Sequence, residues 1–211
     1  MPLYQNITID SKSQILVWEI TESFDLLFEE VHLTEKSLLR LNGMKSILHQ
    51  RAFLSVRKLL QEVGYSDFDL FYDERGKPHL TDKKYISISH SHQFSTIIIS
   101  NQKVGIDIEM IRDKIIRIAH KFVNENELNR LQKFDNHDYI KKLTVKWGAK
   151  EAIFKIQNEK EISFKDHIQV FPFEMKDKKT TAILKIENTK QLFSIFFEEI
   201  KEYVLVYAQQ I

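Results

Sequence analysis

The segment Val104-Gly105-Ile106-Asp107-Ile108-Glu109 changes residue character with a period of two. That period belongs to a β-strand, and it sets Asp107 and Glu109 on one face with Ile106 and Ile108 on the other. Further along, Trp147-Gly148-Ala149-Lys150-Glu151-Ala152-Ile153-Phe154-Lys155 follows a helical period. Trp147, Glu151 and Lys155 stand at i, i+4 and i+8 and share a face, with Lys150 beside it. A chain with both segments must combine strands with a long helix, and it must accommodate the acids. Two close carboxylates repel each other unless a cation lies between them. Mg²⁺ prefers carboxylate and phosphate oxygens and takes few protein ligands. Glu151 can complete a three-acid set with Asp107 and Glu109, and Lys155 can neutralise phosphate charge next to it. Gly105 permits close approach of a backbone or a ligand. The plain alternative is an edge strand with its acids in solvent and an ordinary exposed Glu151–Lys155 ion pair; either motif alone admits it.

The rest of the chain supports a mixed α+β fold. Strands are expected over 15–20, 68–72, 85–89, 95–100, 104–109, 168–171, 181–186, 191–197 and 203–208, the last three as an antiparallel meander. Helices are expected from Thr21 over 24–28, from Thr34 to Leu41, over 46–63 with Gly64 as its stop, and over 115–122, 125–134 and 139–155. Each half thus holds one long helix and several antiparallel strands, which places a junction near residue 102 and two lobes over 1–102 and 103–211. The aromatic run Phe193 to Phe197 reads as strand core. Among the basic residues of the first half, Arg57 reads equally well as a surface charge.

Composition narrows the function. With 211 residues the chain suits one globular unit or two small ones, and a formal net charge of +1 argues against broad binding to nucleic acid. The absence of cysteine removes disulfides, thiol catalysis and cysteine metal sites, and it fits a cytoplasmic setting. No apolar stretch is long enough to span a bilayer, and the first residues lack a signal pattern. An anionic ligand must therefore be met by a local basic cluster.

These residues together resemble the 4′-phosphopantetheinyl transferases, in particular the two-lobed, surfactin-synthetase-activating type. The resemblance rests on Gly105-Ile-Asp-Ile-Glu109 and on Trp147-x-x-Lys150-Glu151-Ala152-x-x-Lys155, with Gly76-Lys77-Pro78 and Ser89-His90-Ser91 in support. It covers most of residues 45–165 and leaves both flanks without a signature. It implies two similar lobes related by a pseudo-two-fold axis with the active site in the cleft between them, each lobe a small antiparallel sheet on a long helix, in a chain that works as a monomer. The implied reaction moves the phosphopantetheine arm of coenzyme A onto a serine of an apo acyl or peptidyl carrier protein and releases adenosine 3′,5′-bisphosphate. Asp107, Glu109 and Glu151 would hold Mg²⁺, for which Mn²⁺ can substitute, and Lys155 would balance charge on the leaving bisphosphate.

For the base that takes the serine proton, the resemblance leaves Glu151, Glu127 and a metal-bound water open. It implies His90, Lys77 and Arg51 as ligands of the coenzyme's 3′-phosphate end, with Arg40 and Lys45 as less securely aligned candidates. Lys155 would contact the coenzyme's phosphates, Lys150 would contact them as well or else pair with a carboxylate, and Trp147 would pack the motif helix between the lobes. The identity of the carrier is not written in these motifs. The rival readings are a non-catalytic module that binds coenzyme A or a carrier, a phosphodiesterase that removes the arm, and a purely structural α/β protein.

Overall fold

The computed structural model describes residues 3–131, 135–159 and 161–211. The chain divides into one unit over residues 1–102 and another over 103–211. The first unit runs β1 (Leu3–Asp10), β2 (Ser13–Glu19), α1 (Phe24–Glu29), α2 (Glu35–Asn42), α3 (Ile47–Gln61), β3 (Leu70–Tyr72), β4 (Pro78–Leu80), β5 (Tyr85–Ser91) and β6 (Phe94–Ser100). Its main sheet is antiparallel in the order β1-β2-β6-β5, while β3 and β4 pair as a separate hairpin. Thr34 caps α2 as expected, its hydroxyl accepting the Ser37 N–H at 3.3 Å. The cap of α1 is Ser23 instead of Thr21; the Thr21 N–H is already bound to the Glu19 carbonyl and to Glu22.

The long helix α3 buries Phe53, Leu54, Leu59 and Leu60 with Leu16, Trp18, Ile97 and Ile99 of the sheet. Burial of this apolar surface is the main stabilising term of the unit. Arg57 is no surface charge. It is 3 % exposed, donates to Asp67 at 2.9 Å, and stacks 3.5 Å from the centre of the Phe53 ring. Asp67 also accepts from the Thr34 N–H and from the Thr34 and Ser37 hydroxyls, so the network ties the start of α2 to α3.

The second unit contains β7 (Val104–Met110), α4 (Lys114–Phe122), α5 (Glu125–Leu131), α6 (Asn136–Gln157), β8 (Ile168–Val170), β9 (Lys179–Ile186), β10 (Thr189–Ile200) and β11 (Tyr203–Gln210). The end of the helix expected over 125–134 lies outside the described residues. The sheet is antiparallel in the order β7-β11-β10-β9-β8, and it includes the expected meander. Phe193, Ile195 and Phe197 point into its core. Asp135 caps α6 by accepting the His137 and Asp138 N–H groups, and Asn158 ends it in the left-handed conformation at φ 56°. No helix among the described residues is long and apolar enough to cross a membrane.

Candidate active site

Strand β7 is an edge strand, yet its acids are not in solvent. Gly105, Asp107 and Glu109 lie on the face turned to α6. A Cβ at residue 105 would fall 1.9 Å from the Ala152 carbonyl oxygen, so strand and helix backbones meet where only glycine fits. Gly148 repeats the device from the helix side, where a Cβ would meet Val206 at 2.8 Å and the Asp107 carboxylate at 3.5 Å. This close approach carries Asp107 under the helix, leaving it 4 % exposed.

Three side chains of α6 then meet the two acids of β7. The Lys155 ammonium donates to Asp107 Oδ1 and to the Ile106 carbonyl, each at 2.8 Å. The Trp147 Nε1–H donates to Glu109 Oε1 at 3.2 Å. Burial, then the charges of Asp107 and Glu109, push the Glu151 carboxyl up to about 7, against the pull of Lys155. Burial and Asp107 also raise Glu109. Asp107, Glu109, Glu151 and Lys155 are thus one electrostatic group, as a strand and a helix of these periods require.

Among the described residues, no three acids or imidazoles already stand as a cage for an ion. The donor set nonetheless suits a hard divalent cation. Asp107 is buried and Glu109 and Glu151 half-buried, the three repel one another, and Lys155 and, on Glu109, Arg112 are the cations that act against this.

Two other candidate residues lie away from the acid group. Lys150 is expected to touch phosphate or to pair with a carboxylate. It is wholly buried, and its three ammonium protons go to the carbonyls of Phe122, Phe164 and Ile168 at 2.5, 2.7 and 2.6 Å. Burial lowers its pKa to about 8. An ammonium has only three donors, so none is left for a phosphate. Glu127 was a candidate base. Its Oε1 accepts from the buried Lys146 at 2.7 Å, and its Oε2 is buried without a hydrogen-bond partner among the described residues. Lys146 lies about 140° around α6 from Glu151 at helical pitch. Through Lys146, Glu127 is tied to another face of the helix.

That other face escaped the sequence reading. Lys142, Lys146 and Lys150 recur at i, i+4 and i+8 and are all buried. Lys142 holds Glu174 at 2.7 Å, and Lys146 adds the Val170 carbonyl at 2.8 Å to its bond with Glu127. The repeat was visible in the sequence, but lysines at that spacing ordinarily mark a solvated helix face.

Trp147 packs within its own unit, on the rings of Phe122 at 5.1 Å and Phe164 at 5.5 Å. Beside it, Glu109, Arg112, Lys114, Ile115, Ile118 and Thr144 line a groove of about 190 Å³. The outer surface of α4 adds exposed Arg117, His120 and Lys121.

In the first unit, His90 is exposed near the end of β5, with its ring 6.1 Å from that of His49. Arg51 donates to the Ile20 carbonyl at 2.9 Å. Lys77 follows the turn residue Gly76 (φ 83°) and is anchored through its backbone N–H on Asp73. Arg40 lies over the Tyr72 ring at 4.7 Å.

Comparison with known proteins agrees with this geometry. Residues 103–208 match the family model described as the 4′-phosphopantetheinyl transferase superfamily. The chain is 30% identical over 152 residues to the 4′-phosphopantetheinyl transferase gsp of Aneurinibacillus migulanus, an alignment covering 71% of this chain and 62% of that protein. It is 29% identical over 96 residues to the 4′-phosphopantetheinyl transferase Sfp of Bacillus subtilis (strain 168), covering 44% of this chain and 43% of that one. Likeness to the putative 4′-phosphopantetheinyl transferase slr0495 of Synechocystis is 26% over 91 residues, covering 40% and 37%. The chain therefore spans less than two thirds of the length of the curated relatives it matches. The matched segment contains β7 and α6, the two elements that build the acid group, and by that match the chain belongs to the 4′-phosphopantetheinyl transferase superfamily.

Proposed function

We propose that the protein transfers the 4′-phosphopantetheine arm of coenzyme A to a serine of an apo carrier protein and releases adenosine 3′,5′-bisphosphate. The observation that carries this reading is Lys155 seated on Asp107 beside Glu109 and Glu151, a cation with one buried and two half-buried carboxylates in one group. Asp107, Glu109 and Glu151 are the residues that would hold Mg²⁺, which when bound neutralises pyrophosphate charge and polarises the phosphorus under attack.

The serine oxygen forms the new bond to the phosphorus next to the pantetheine arm. The bond from that phosphorus to the bisphosphate breaks, and the electron pair leaves with the bisphosphate. Lys155, half-exposed at the helix end, balances the charge that builds there. The serine proton needs an acceptor, and Glu151 stands in the acid group as one; its carboxyl is lifted to about 7 in the metal-free fold, and a Mg²⁺ held beside it would bring that value down. We read Glu151 as the base in preference to Glu127 because Glu127 is paired with Lys146.

His90, Lys77 and Arg51 are read as ligands of the 3′-phosphate. For the carrier, the cations of α4 and the half-buried Ile115 and Ile118 along the groove suit an acidic, partly apolar helix. Each unit has its own sheet and long helix, which supports reading one chain as sufficient for the reaction.

The test is the intact mass of an apo carrier after incubation with this protein, coenzyme A and Mg²⁺, with an EDTA control. Gain of one phosphopantetheine arm, lost with EDTA, is the expected result. Coenzyme A binding with no gain on several carrier types would replace this reading by a binding module.

A further inference from the structure

Lys150 donates to three carbonyls from three different segments: Phe122 at the end of α4, Phe164 in the loop after α6, and Ile168 at the start of β8. Two of these residues do something else as well. The rings of Phe122 and Phe164 pack against the Trp147 indole, one edge-on and one tilted. The Trp147 Nε1–H in turn holds Glu109 Oε1. A continuous path therefore runs from the ammonium to two backbone carbonyls, to the rings on those same residues, to the indole and to the carboxylate.

We propose that Lys150 is a positioning residue for Glu109, acting through Trp147, and that it does not bind the phosphates of the coenzyme. The inference rests on the proposed function only where metal and coenzyme enter its test. The physical reason is local. A buried ammonium bound to three carbonyls fixes the two segments relative to α6 more tightly than apolar contact alone. With the rings fixed the indole has one orientation, and its N–H meets Glu109 while still aimed at the β7 edge. A carboxylate meant to share a divalent ion needs such an outer partner to set its direction. Lys146 on the preceding turn anchors α5 and β8 in a parallel way, but its partners Glu127 and Val170 carry no ring to pack on Trp147.

The experiment compares wild type with Lys150→Met by three readouts. These are the Trp147 indole N–H resonance and its hydrogen exchange in metal-free protein, coenzyme A affinity by calorimetry in EDTA, and the Mg²⁺ dependence of transfer. Trp147→Phe identifies which of the two indole resonances is the relevant one. The indole N–H is expected to shift and exchange faster. The Mg²⁺ requirement should rise about 10- to 100-fold while coenzyme A affinity stays within about 2-fold. An unchanged indole with coenzyme A affinity weakened 10-fold or more would overturn the proposal and restore Lys150 as a phosphate ligand.

If Lys150→Met does not fold, Phe164→Leu keeps the lysine and trims one of the two rings. It should produce the same indole and Mg²⁺ changes, and an unaltered indole there would also overturn the proposal. Should wild type transfer no arm at all, the proposed function fails while the indole measurement still decides the role of Lys150.

Discussion

Lys155 is bound to Asp107 in the resting protein, so removing it acts on charge and on strand geometry together. If it balances the leaving group, Lys155→Ala lowers kcat about 100-fold or more and changes coenzyme A affinity little. Steady-state kinetics beside calorimetry separate the two effects, and a pure affinity loss would make Lys155 a ground-state anchor. Glu151 allows a test without substrate. Its carboxyl is raised to about 7 in the fold against an ordinary value near 4.5. Between those values the folded state holds the extra proton, so this group's contribution to stability is full below about 4.5 and is lost as pH rises through about 7. Metal-free Glu151→Gln should therefore gain stability over wild type as pH rises from 5 to 8, by at most about 3 kcal/mol. Urea unfolding in EDTA at the two pH values measures it, and a constant difference would contradict the raised carboxyl. In the first unit, His90→Ala should raise KM for coenzyme A about 10-fold and leave 3′-dephospho-coenzyme A unaffected. Equal effects on both substrates would remove the 3′-phosphate role.

At the scale of the element, the site depends on how closely β7 and α6 approach. Gly105→Ala puts a methyl 1.9 Å from the Ala152 carbonyl, and backbone cannot swing aside as a side-chain tip can. We expect about 3 kcal/mol of destabilisation by urea unfolding, with loss of transfer even where the protein stays folded. Wild-type stability would show that strand and helix separate at little cost. The same element explains one success and one failure of sequence reading. Two opposed periods in 104–109 and 147–155 were enough to place the acids and Lys155 together, because strand and helix periods dictate facing directions. They were not enough for Lys150. Its place beside the acid face was legible, but the carbonyls that take its three protons come from residues 122, 164 and 168. Strand β1 was missed for a related reason. Its residues alternate half-buried with exposed and carry few large apolar groups, so its ladder with β2 holds it in place where local pattern does not.

Over the whole molecule, charge nearly cancels, with a formal net of +1, yet α4 gathers Lys114, Arg117, His120 and Lys121 on its exposed surface. Docking of an acidic carrier through that surface predicts a KM for carrier that rises with salt while KM for coenzyme A barely moves. Arg117→Glu should raise the carrier KM about 10-fold and flatten the salt dependence. A carrier KM insensitive to both would move docking elsewhere. The sequence by itself determined the α+β class, the succession of most elements and the two motifs, because period, cap and turn residues act over a few neighbours. It also set Asp107, Glu109, Glu151 and Lys155 on one face of a strand and one face of a helix. The tertiary structure alone decided where the remaining cations go. Lys155 faces the acids, while Lys142, Lys146 and Lys150 are turned inward against Glu174, Glu127 and loop carbonyls, and Arg57 is buried on Asp67. A long cation finds its partner across tens of residues of chain, through contacts that no local period encodes.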